Sequence, residues 1–356
     1  MSASRRQFLK WSAAAVAVPA LAACEANIVA ASGVPRSEFD ASSTAEEVTE
    51  GLDLSGKIAV VTGCTSGIGF ETMRVLALRG AYVIGTGRTL PKAQAACEQV
   101  IGLTTAVQLE LSDFQSVVAC AESIRSLNSP LDMLICNAGM RGAEREVVYG
   151  LEKHFVVNHL GHFILVDRLL DRLFLAWQGR VVVVGSRAAY RSAPAVGIEF
   201  DNLRGTRDYS VGRAYAHSKL SNVLYSLELA RLLKGTRITS NALHPGVINT
   251  NIDRHVSVPG RAAFGLYTRL AGKTVAQGAA TSCYVATHPL LDSTSGQYFE
   301  DCNAVRVLGD HHMQDAEQAT KLWQVSQVLT ANYLVEHKRP DWDEYENGLK
   351  RRDPDG

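Results

Sequence analysis

The chain has 356 residues, of which 46% are hydrophobic and 29 are glycine, and these amounts suit one large α/β domain with additions at its ends. Its 36 basic residues balance its 36 acidic residues, so the formal net charge is zero. A chain with neither a net positive charge nor a basic stripe is not expected to bind nucleic acid.

Residues 1–24 have the order of features found in an export signal. Arg5 and Arg6 in the run SRRQFLK resemble a twin-arginine signal, and the apolar run over 11–23 is shorter than the ~20 residues of a membrane span. That run ends in LAAC, which resembles a lipobox in which Cys24 is acylated. The alternatives are a chance arginine pair before a buried helix, or cleavage at a later site. We therefore expect export by the twin-arginine route, either into the periplasm or as a membrane-anchored lipoprotein facing the periplasm.

The residues after the signal are predicted to form a tether, and the last residues a tail. Residues 25–50 are small, polar and acidic with little periodicity, which indicates a flexible linker spanning roughly 30 Å. Residues 338–356 are charged and are predicted to form a C-terminal tail. The domain would then occupy residues 51–337.

The body of the chain alternates apolar runs with amphipathic segments, the pattern of a doubly wound parallel sheet between two layers of helices. The sequence therefore predicts a three-layer α/β fold in a single domain. Strands are predicted over residues 57–62, 81–86, 105–111, 131–136, 180–185 and 238–243, with a last edge strand over 296–299.

The first predicted strand runs into a glycine-rich turn, TGCTSGIG at 62–69, and then into a helix. Glycines let the backbone turn tightly and approach a pyrophosphate, whose charge is met by the helix N-terminus. A turn without a ligand is the alternative, but the strand–turn–helix context and the TGxxxGxG spacing favour a dinucleotide. The candidate cofactor-binding residues here are Gly63, Thr65, Ser66, Gly67, Ile68 and Gly69.

The end of the second strand indicates which dinucleotide is bound. Sites for NAD place a carboxylate there to hold the ribose hydroxyls, whereas a basic side chain suits the 2′-phosphate of NADP. No acidic residue occurs between Ala81 and Cys97, and Arg88 follows the predicted strand directly. The sequence therefore predicts NADP as the cofactor, with NAD as the less favoured alternative.

Tyr215 and Lys219 lie four residues apart in a run predicted to be helical, so their side chains share one face. To exchange protons near neutrality, a tyrosine that titrates near pH ~10 must become more acidic by about 3 units, or roughly 4 kcal/mol. An ammonium about 4 Å away at an effective dielectric of ~20 supplies an amount of that order. Two surface neighbours would show the same spacing, but beside a dinucleotide motif it predicts the acid/base pair of a hydride-transfer enzyme.

Together these motifs resemble the short-chain dehydrogenase/reductase family over roughly residues 54–330, which implies a Rossmann fold and an NAD(P)-dependent oxidoreductase. Further matches are CNAG at 136–139, FVVNHLGHF around Asn158, RVVVVGS ending at Ser186, and HPGVINT at 244–250. The resemblance implies further cofactor contacts from Asn137, Ala138, Gly139, Tyr215, Lys219, Pro245, Gly246, Val247 and Thr250.

The same resemblance assigns the catalytic roles. Tyr215 would exchange the hydroxyl proton, and Ser186 would polarise the substrate carbonyl. Lys219 would lower the tyrosine pKa and bond the nicotinamide ribose, while Asn158 would connect Lys219 to solvent through water. The alternatives are a strand-end turn serine for Ser186 and a helix residue bonding its own backbone for Asn158.

An insertion over 197–203 and the run SGQYFEDC at 295–302 resemble the retinol-dehydrogenase-like branch of the family. Two residues depart from the family pattern. Glu110 stands where relatives usually carry an aspartate beside the adenine, and Cys136 replaces an asparagine. Neither residue belongs to the chemistry, so we interpret both as tuning.

The substrate is predicted from the segment over 252–273, which the resemblance identifies as a lid. Its apolar side chains and a lipid anchor favour a lipophilic alcohol, ketone or aldehyde. Two other functions stay open: a non-catalytic NADP-binding sensor or scaffold, and an epimerase or dehydratase that retains its cofactor. We expect no metal site and no structural disulfide. A homodimer is a further expectation, because relatives dimerise through the helices that carry Asn158 and Tyr215.

Overall fold

The computed structural model describes residues 28–248, 272–309 and 311–335. The predicted signal peptide with Cys24, the loop residue Thr250, almost all of the predicted lid and the C-terminal tail lie outside the described residues. The remaining candidate residues are all described.

A mostly parallel sheet forms the centre of the domain, as the sequence predicts. Nine strands in the described part of the chain pair in the order β1-β11-β10-β9-β8-β5-β2-β3-β4. In this order, the strands from β10 to β4 run parallel to their neighbours. At the β10 end of the sheet, β11 pairs antiparallel with β10, and β1 pairs antiparallel with β11. The strands of this sheet are β1 Ile28–Ala30, β2 Ile58–Val61, β3 Tyr82–Gly87, β4 Thr104–Gln108, β5 Met133–Cys136, β8 Gly179–Val184, β9 Ile238–His244, β10 Tyr298–Glu300 and β11 Asn303–Val307; β6 Val147–Val148 and β7 Leu151–Glu152 form a separate hairpin.

Helices cover both faces of the sheet. The central strands are buried along their whole length, because each face packs against a helical layer, and their Val- and Ile-rich sequences follow from this double burial. The helices are α1 Gly67–Leu78, α2 Leu90–Cys97, α3 Phe114–Arg125, α4 Lys153–Phe155, α5 Gly161–Phe174, α6 Ala188–Arg191, α7 Val211–Leu232, α8 Val275–Thr287 and α9 Ala316–Thr330. Within the described residues, no helix has the length and hydrophobicity that crossing a membrane requires.

The structure corrects the prediction that residues 25–50 form a flexible linker. From Ile28 onwards the segment is part of the domain, since β1 pairs with β11 and the side chains of Ala45 and Val48 are buried. The Asn303 amide donates to the Phe39 carbonyl at 2.8 Å, which fixes the middle of the segment. Its apolar residues have no regular spacing because they pack on separate elements, so periodicity did not reveal them.

The prediction that residues 296–299 form an edge strand is also corrected, because this strand does not lie at the edge of the sheet. It forms β10, and the chain then turns back through Asp301 and Cys302, both with positive φ, into the antiparallel strand β11. With β1 paired to β11, the edge lies two strands further out than predicted.

Helix α9 lies over the two helices through which a homodimer is predicted. Its Trp323 ring stacks on Tyr225 of α7 at 5.7 Å between centroids and meets Phe163 of α5 edge-on at 5.0 Å. The Ser326 hydroxyl is hydrogen-bonded to His159 at 2.8 Å. Helix α9 therefore covers part of the surface of α5 and α7.

Candidate active site

The candidate residues gather at the carboxyl edge of the parallel sheet, where ligands bind in open α/β folds. The glycine turn follows β2, the CNAG segment ends β5, Ser186 follows β8, and Pro245 follows β9. Tyr215 and Lys219 approach the same edge from α7. The structure thus brings together segments that lie far apart in the sequence.

The glycine turn has the shape of a cradle for an anion. Gly63 and Gly67 have φ of +70° and +60°, a backbone region that disfavours larger residues. A side chain at Gly69 would collide with the Asn137 amide and the Gly63 carbonyl. Ser66 precedes α1 without capping it through its side chain, so no serine oxygen occupies the positive end of the helix. A tight glycine turn that leads into the N-terminus of α1 in this way fits the pyrophosphate of a dinucleotide.

The CNAG segment holds the end of β2. The Asn137 amide donates to the Thr62 carbonyl at 2.8 Å, and the Ala138 N–H donates to the Thr62 hydroxyl at 2.9 Å. Cys136 is fully buried, and burial raises the pKa of its thiol to about 12. All six cysteines in the described ranges are buried and free. The contacts of Asn137 and Ala138 keep the glycine turn in register with β5.

Arg88 follows β3 and is exposed beside the glycine turn. The two segments are close, because a β-carbon placed on Gly87 would lie 2.6 Å from the Thr65 methyl group. The nearby acid, Glu110, accepts hydrogen bonds from the N–H and the hydroxyl of Ser112, at 3.0 and 2.7 Å. The carboxylate of Glu110 therefore caps a turn, and a guanidinium stands at the end of β3.

Lys219 is buried beneath Tyr215 on α7. The Ser210 hydroxyl caps this helix by accepting from the Arg213 N–H at 3.2 Å, which places Tyr215 in the second turn. The Lys219 Nζ lies 5.9 Å from the centre of the Tyr215 ring and donates to the Val184 carbonyl at 2.8 Å. Burial lowers the pKa of Lys219 to about 8, because the charged ammonium loses its hydration. The structure thus places the Lys219 ammonium next to the Tyr215 ring.

Asn158 lies in a π-helical turn over Val156–Leu160, a local widening that often marks functional sites. Its amide oxygen accepts from the Met140 N–H at 2.8 Å, and its amide nitrogen donates to the Ser218 hydroxyl at 2.9 Å. A β-carbon on Gly139 would lie 3.3 Å from the Asn158 oxygen and 3.5 Å from the Lys219 Nζ. Asn158 therefore stands next to Lys219 and braces the loop that follows β5.

Ser186 is half-buried after the end of β8, where its hydroxyl accepts from the Ala188 N–H at 3.2 Å. The segment behind it is anchored by the buried carboxylate of Glu300. Arg187 donates to Glu300 at 2.8 Å, and the Tyr190 hydroxyl donates to it at 3.0 Å. The strand end on the Ser186 side is also close to the pair on α7, since the Lys219 ammonium bonds the Val184 carbonyl.

Two histidines near the site lie inside the motif matches, His162 in FVVNHLGHF and His244 in HPGVINT, but the motifs assign them no role. His162 bridges the Asn158 carbonyl, at 3.1 Å, and the Thr62 hydroxyl, at 3.0 Å, and burial lowers its pKa to about 4. His244 is buried at the end of β9, and neither ring nitrogen has a hydrogen-bond partner among the described residues. Their sequence signal is their place in these motifs, with His162 four residues after Asn158, whereas their contacts depend on the fold. Unpaired buried nitrogens at the cleft fit a bound ligand that completes them.

Comparison with known proteins supports this architecture. The family described as short chain dehydrogenase matches residues 57–198, and the twin-arginine translocation signal family matches residues 2–22. The short-chain dehydrogenase TIC 32 A of Brassica napus is 38% identical over 304 residues, covering 82% of this chain and 94% of that protein. Retinol dehydrogenase 12 of Homo sapiens is 39% identical over 284 residues, covering 77% and 86%.

Solved structures share the fold. An uncharacterised protein from Mycobacterium Paratuberculosis matches with a TM-score of 0.64 and 30% identity, over 80% of this chain and 97% of that one. A structure from Beutenbergia cavernae that contains NADP at low occupancy matches with a TM-score of 0.55 and 25% identity, over 69% and 95%. The doubly wound sheet is thus a feature that this chain has in common with a protein whose structure contains NADP.

Proposed function

Because the chain belongs to the short-chain dehydrogenase family of oxidoreductases, and carries a twin-arginine signal, we propose that it is an exported NADP(H)-dependent oxidoreductase that interconverts an alcohol and a ketone or aldehyde. The observation that carries the proposal is the placement of Tyr215 beside the buried Lys219 ammonium at the carboxyl edge of the sheet.

Each residue of the site has a role in this chemistry. NADP, when bound, accepts or supplies the hydride. Tyr215 gives or takes the hydroxyl proton, and the Ser186 hydroxyl donates to the substrate oxygen. Lys219 stabilises the tyrosinate through its charge and holds the nicotinamide ribose, while Asn158 fixes the loop beside the ammonium. The glycine turn, residues 137–139 and the segment over 245–247 with Thr250 hold the dinucleotide.

The preference for NADP rests on Arg88, which follows β3 where an NAD enzyme would place a carboxylate. Arg88 is exposed, and the preceding residue Gly87 lies against Thr65 of the glycine turn, so a basic side chain at this position suits a 2′-phosphate. The preference for a lipophilic substrate rests on the apolar composition of residues 252–273.

Export carries a consequence for the cofactor. We place the protein in the periplasm, anchored by a lipid at Cys24, where free dinucleotide is scarce, so NADP enters before export and stays bound. An anchor at Cys24 lies only four residues before Ile28, the start of β1, which limits its reach to roughly 14 Å. The domain would therefore sit directly against the membrane. Mass spectrometry of the mature protein isolated from the cell envelope tests both the lipid at Cys24 and the bound NADP. Protein that never carries a dinucleotide would contradict the retention of NADP.

The proposal is tested by turnover with both dinucleotides on a graded panel of substrates. Long-chain and ring ketones and their alcohols are compared with small polar carbonyl compounds, and the reduced-nicotinamide absorbance band is followed. We expect turnover with NADP, a higher kcat/KM for the lipophilic members and little rate with NAD. Turnover restricted to small polar compounds would exclude the lipophilic substrate. Tight NADP binding without any turnover would favour the sensor instead.

A further inference from the structure

In the part of the chain that the structure describes, two cations lie over the ring of Tyr215. Lys219 is one of them, with its Nζ 5.9 Å from the ring centre, and Arg141 is the other, with its guanidinium carbon at 5.8 Å. Arg141 comes from the loop after β5, on a different element from Lys219. The two charges therefore reach the same phenol independently.

The loop that carries Arg141 is held on both sides of the residue. The Met140 N–H donates to the Asn158 amide oxygen at 2.8 Å, and the Gly142 N–H donates to His154 Nε2 at 2.9 Å. His154 is fixed in turn by Glu152, whose carboxylate lies 2.6 Å from Nδ1. Because both neighbours of Arg141 are bonded to buried side chains, the backbone of the residue has a defined position.

The two cations differ in how long they keep their charge as pH rises. Burial lowers the pKa of Lys219 to about 8, so its ammonium is lost through mildly alkaline pH. A guanidinium keeps its positive charge throughout this range. Oxidation of an alcohol needs the tyrosinate, which is the form that alkaline pH favours. A second, permanent cation would support that form after the ammonium has lost its proton.

We propose that Arg141 is a positioning residue for the proposed reaction that acts through Tyr215, by stabilising the tyrosinate with a charge that does not titrate. This inference rests on the proposed function. Among the described residues, further ionisable groups near Tyr215 include His154 of α4, whose ring meets it edge-on at 6.5 Å with Glu152 behind, and Tyr298 of β10, which lies beside Glu300. Glu152 and Glu300 oppose the effect, but each is already engaged, by His154 and by Arg187 respectively.

The test is a spectroscopic titration of Tyr215 that needs no substrate. The near-ultraviolet tyrosinate absorbance of each protein is recorded against pH, and the curve of its Tyr215→Phe counterpart is subtracted. Burial raises the pKa of Tyr190, Tyr225 and Tyr298, so these residues do not obscure the difference. The variants are Arg141→Gln, Arg141→Lys as the conservative rescue, and Arg145→Gln as a control on the exposed side of the same loop.

A unit charge about 6 Å away, discounted for partial exposure to solvent, predicts an upward shift of the Tyr215 midpoint by about one pH unit in Arg141→Gln. Arg141→Lys restores most of the shift, and Arg145→Gln leaves the midpoint unchanged. In turnover, the alkaline rise of kcat for alcohol oxidation moves by the same amount, while the KM for NADP stays constant.

An unshifted midpoint in a folded Arg141→Gln protein would overturn the inference. So would a shift that Arg145→Gln reproduces. Because the titration is independent of turnover, the inference and the proposed function can fail separately: absent turnover with a shifted midpoint refutes only the function.

Discussion

The buried ammonium of Lys219 has a cost in stability that can be measured directly. Lys219 is 2% exposed, and burial lowers its pKa from the ordinary value of 10.5 to about 8. That depression corresponds to about 3 kcal/mol by which the folded protein disfavours the charged form. We therefore expect Lys219→Met, which fills the same space without a charge, to stabilise the cofactor-free protein near neutral pH by about 1 to 3 kcal/mol while abolishing turnover.

The pH dependence of this effect follows from the protons bound in each state. The folded protein loses the Lys219 proton near pH 8, whereas the unfolded chain keeps it to about pH 10.4. Between these values the unfolded state binds more protons, so this residue makes the free energy of unfolding rise with pH. Integration from about pH 7 to about pH 10 gives a gain of about 2 kcal/mol in the wild type, which Lys219→Met lacks.

The assay is urea unfolding of both proteins at these two pH values, without dinucleotide. Other groups that titrate in the range, such as the buried cysteines, contribute equally to both proteins and cancel in the difference. The stability advantage of Lys219→Met should shrink by about 2 kcal/mol as the pH rises, whereas Lys153→Met, at an outer ion pair, should keep a constant difference from the wild type. An advantage that is constant or grows with pH would refute the argument that Lys219 is buried with a depressed pKa.

Three further predictions follow from other parts of the structure. Replacing Arg88 by Gln should raise the KM for NADP at least about tenfold and leave that for NAD unchanged, as measured by steady-state kinetics; equal effects on both would remove Arg88 from the phosphate site. Deleting residues 28–50 should lower the urea midpoint sharply, since β1 and the buried Ala45 and Val48 are lost. An unchanged midpoint would instead support the interpretation of this segment as a flexible linker. Light scattering should give a monomer mass, because α9 covers the α5 and α7 face in the same chain, and a dimer that persists on dilution would show that another face is used.

The features that the sequence predicts well are those with local causes. The glycine turn, the i, i+4 pair on α7 and the apolar strands each follow from neighbouring residues, so the parallel sheet and the Tyr215 site could be predicted. The elements added to this core, β1 and α9, depend instead on residues far away in the sequence. Strand β1 exists because β11 offers it an edge, and α9 is placed by Trp323 against two other helices.

The same distinction applies within the site. Arg141 belongs to no motif, and HPGVINT assigns no role to its first residue, His244; both reach the site only because strands far apart in the sequence end at one edge. Their surroundings are products of the assembled fold: a tyrosine ring for Arg141, and for His244 a buried position where the described residues offer its ring no hydrogen bond. Local motifs therefore predict the reaction class, whereas the residues that tune it require the structure.

The central claim, that Tyr215 is the acid/base of a dinucleotide-dependent oxidoreductase, is tested most directly by removing one oxygen atom. Turnover of the best substrate with NADP is compared among the wild type, Tyr215→Phe and the control Tyr209→Phe, with NADP affinity measured for each by calorimetry. We predict that Tyr215→Phe loses at least about a thousandfold in kcat and keeps its affinity for NADP, while Tyr209→Phe retains its rate. A Tyr215→Phe protein that turns over at the wild-type rate would contradict the account.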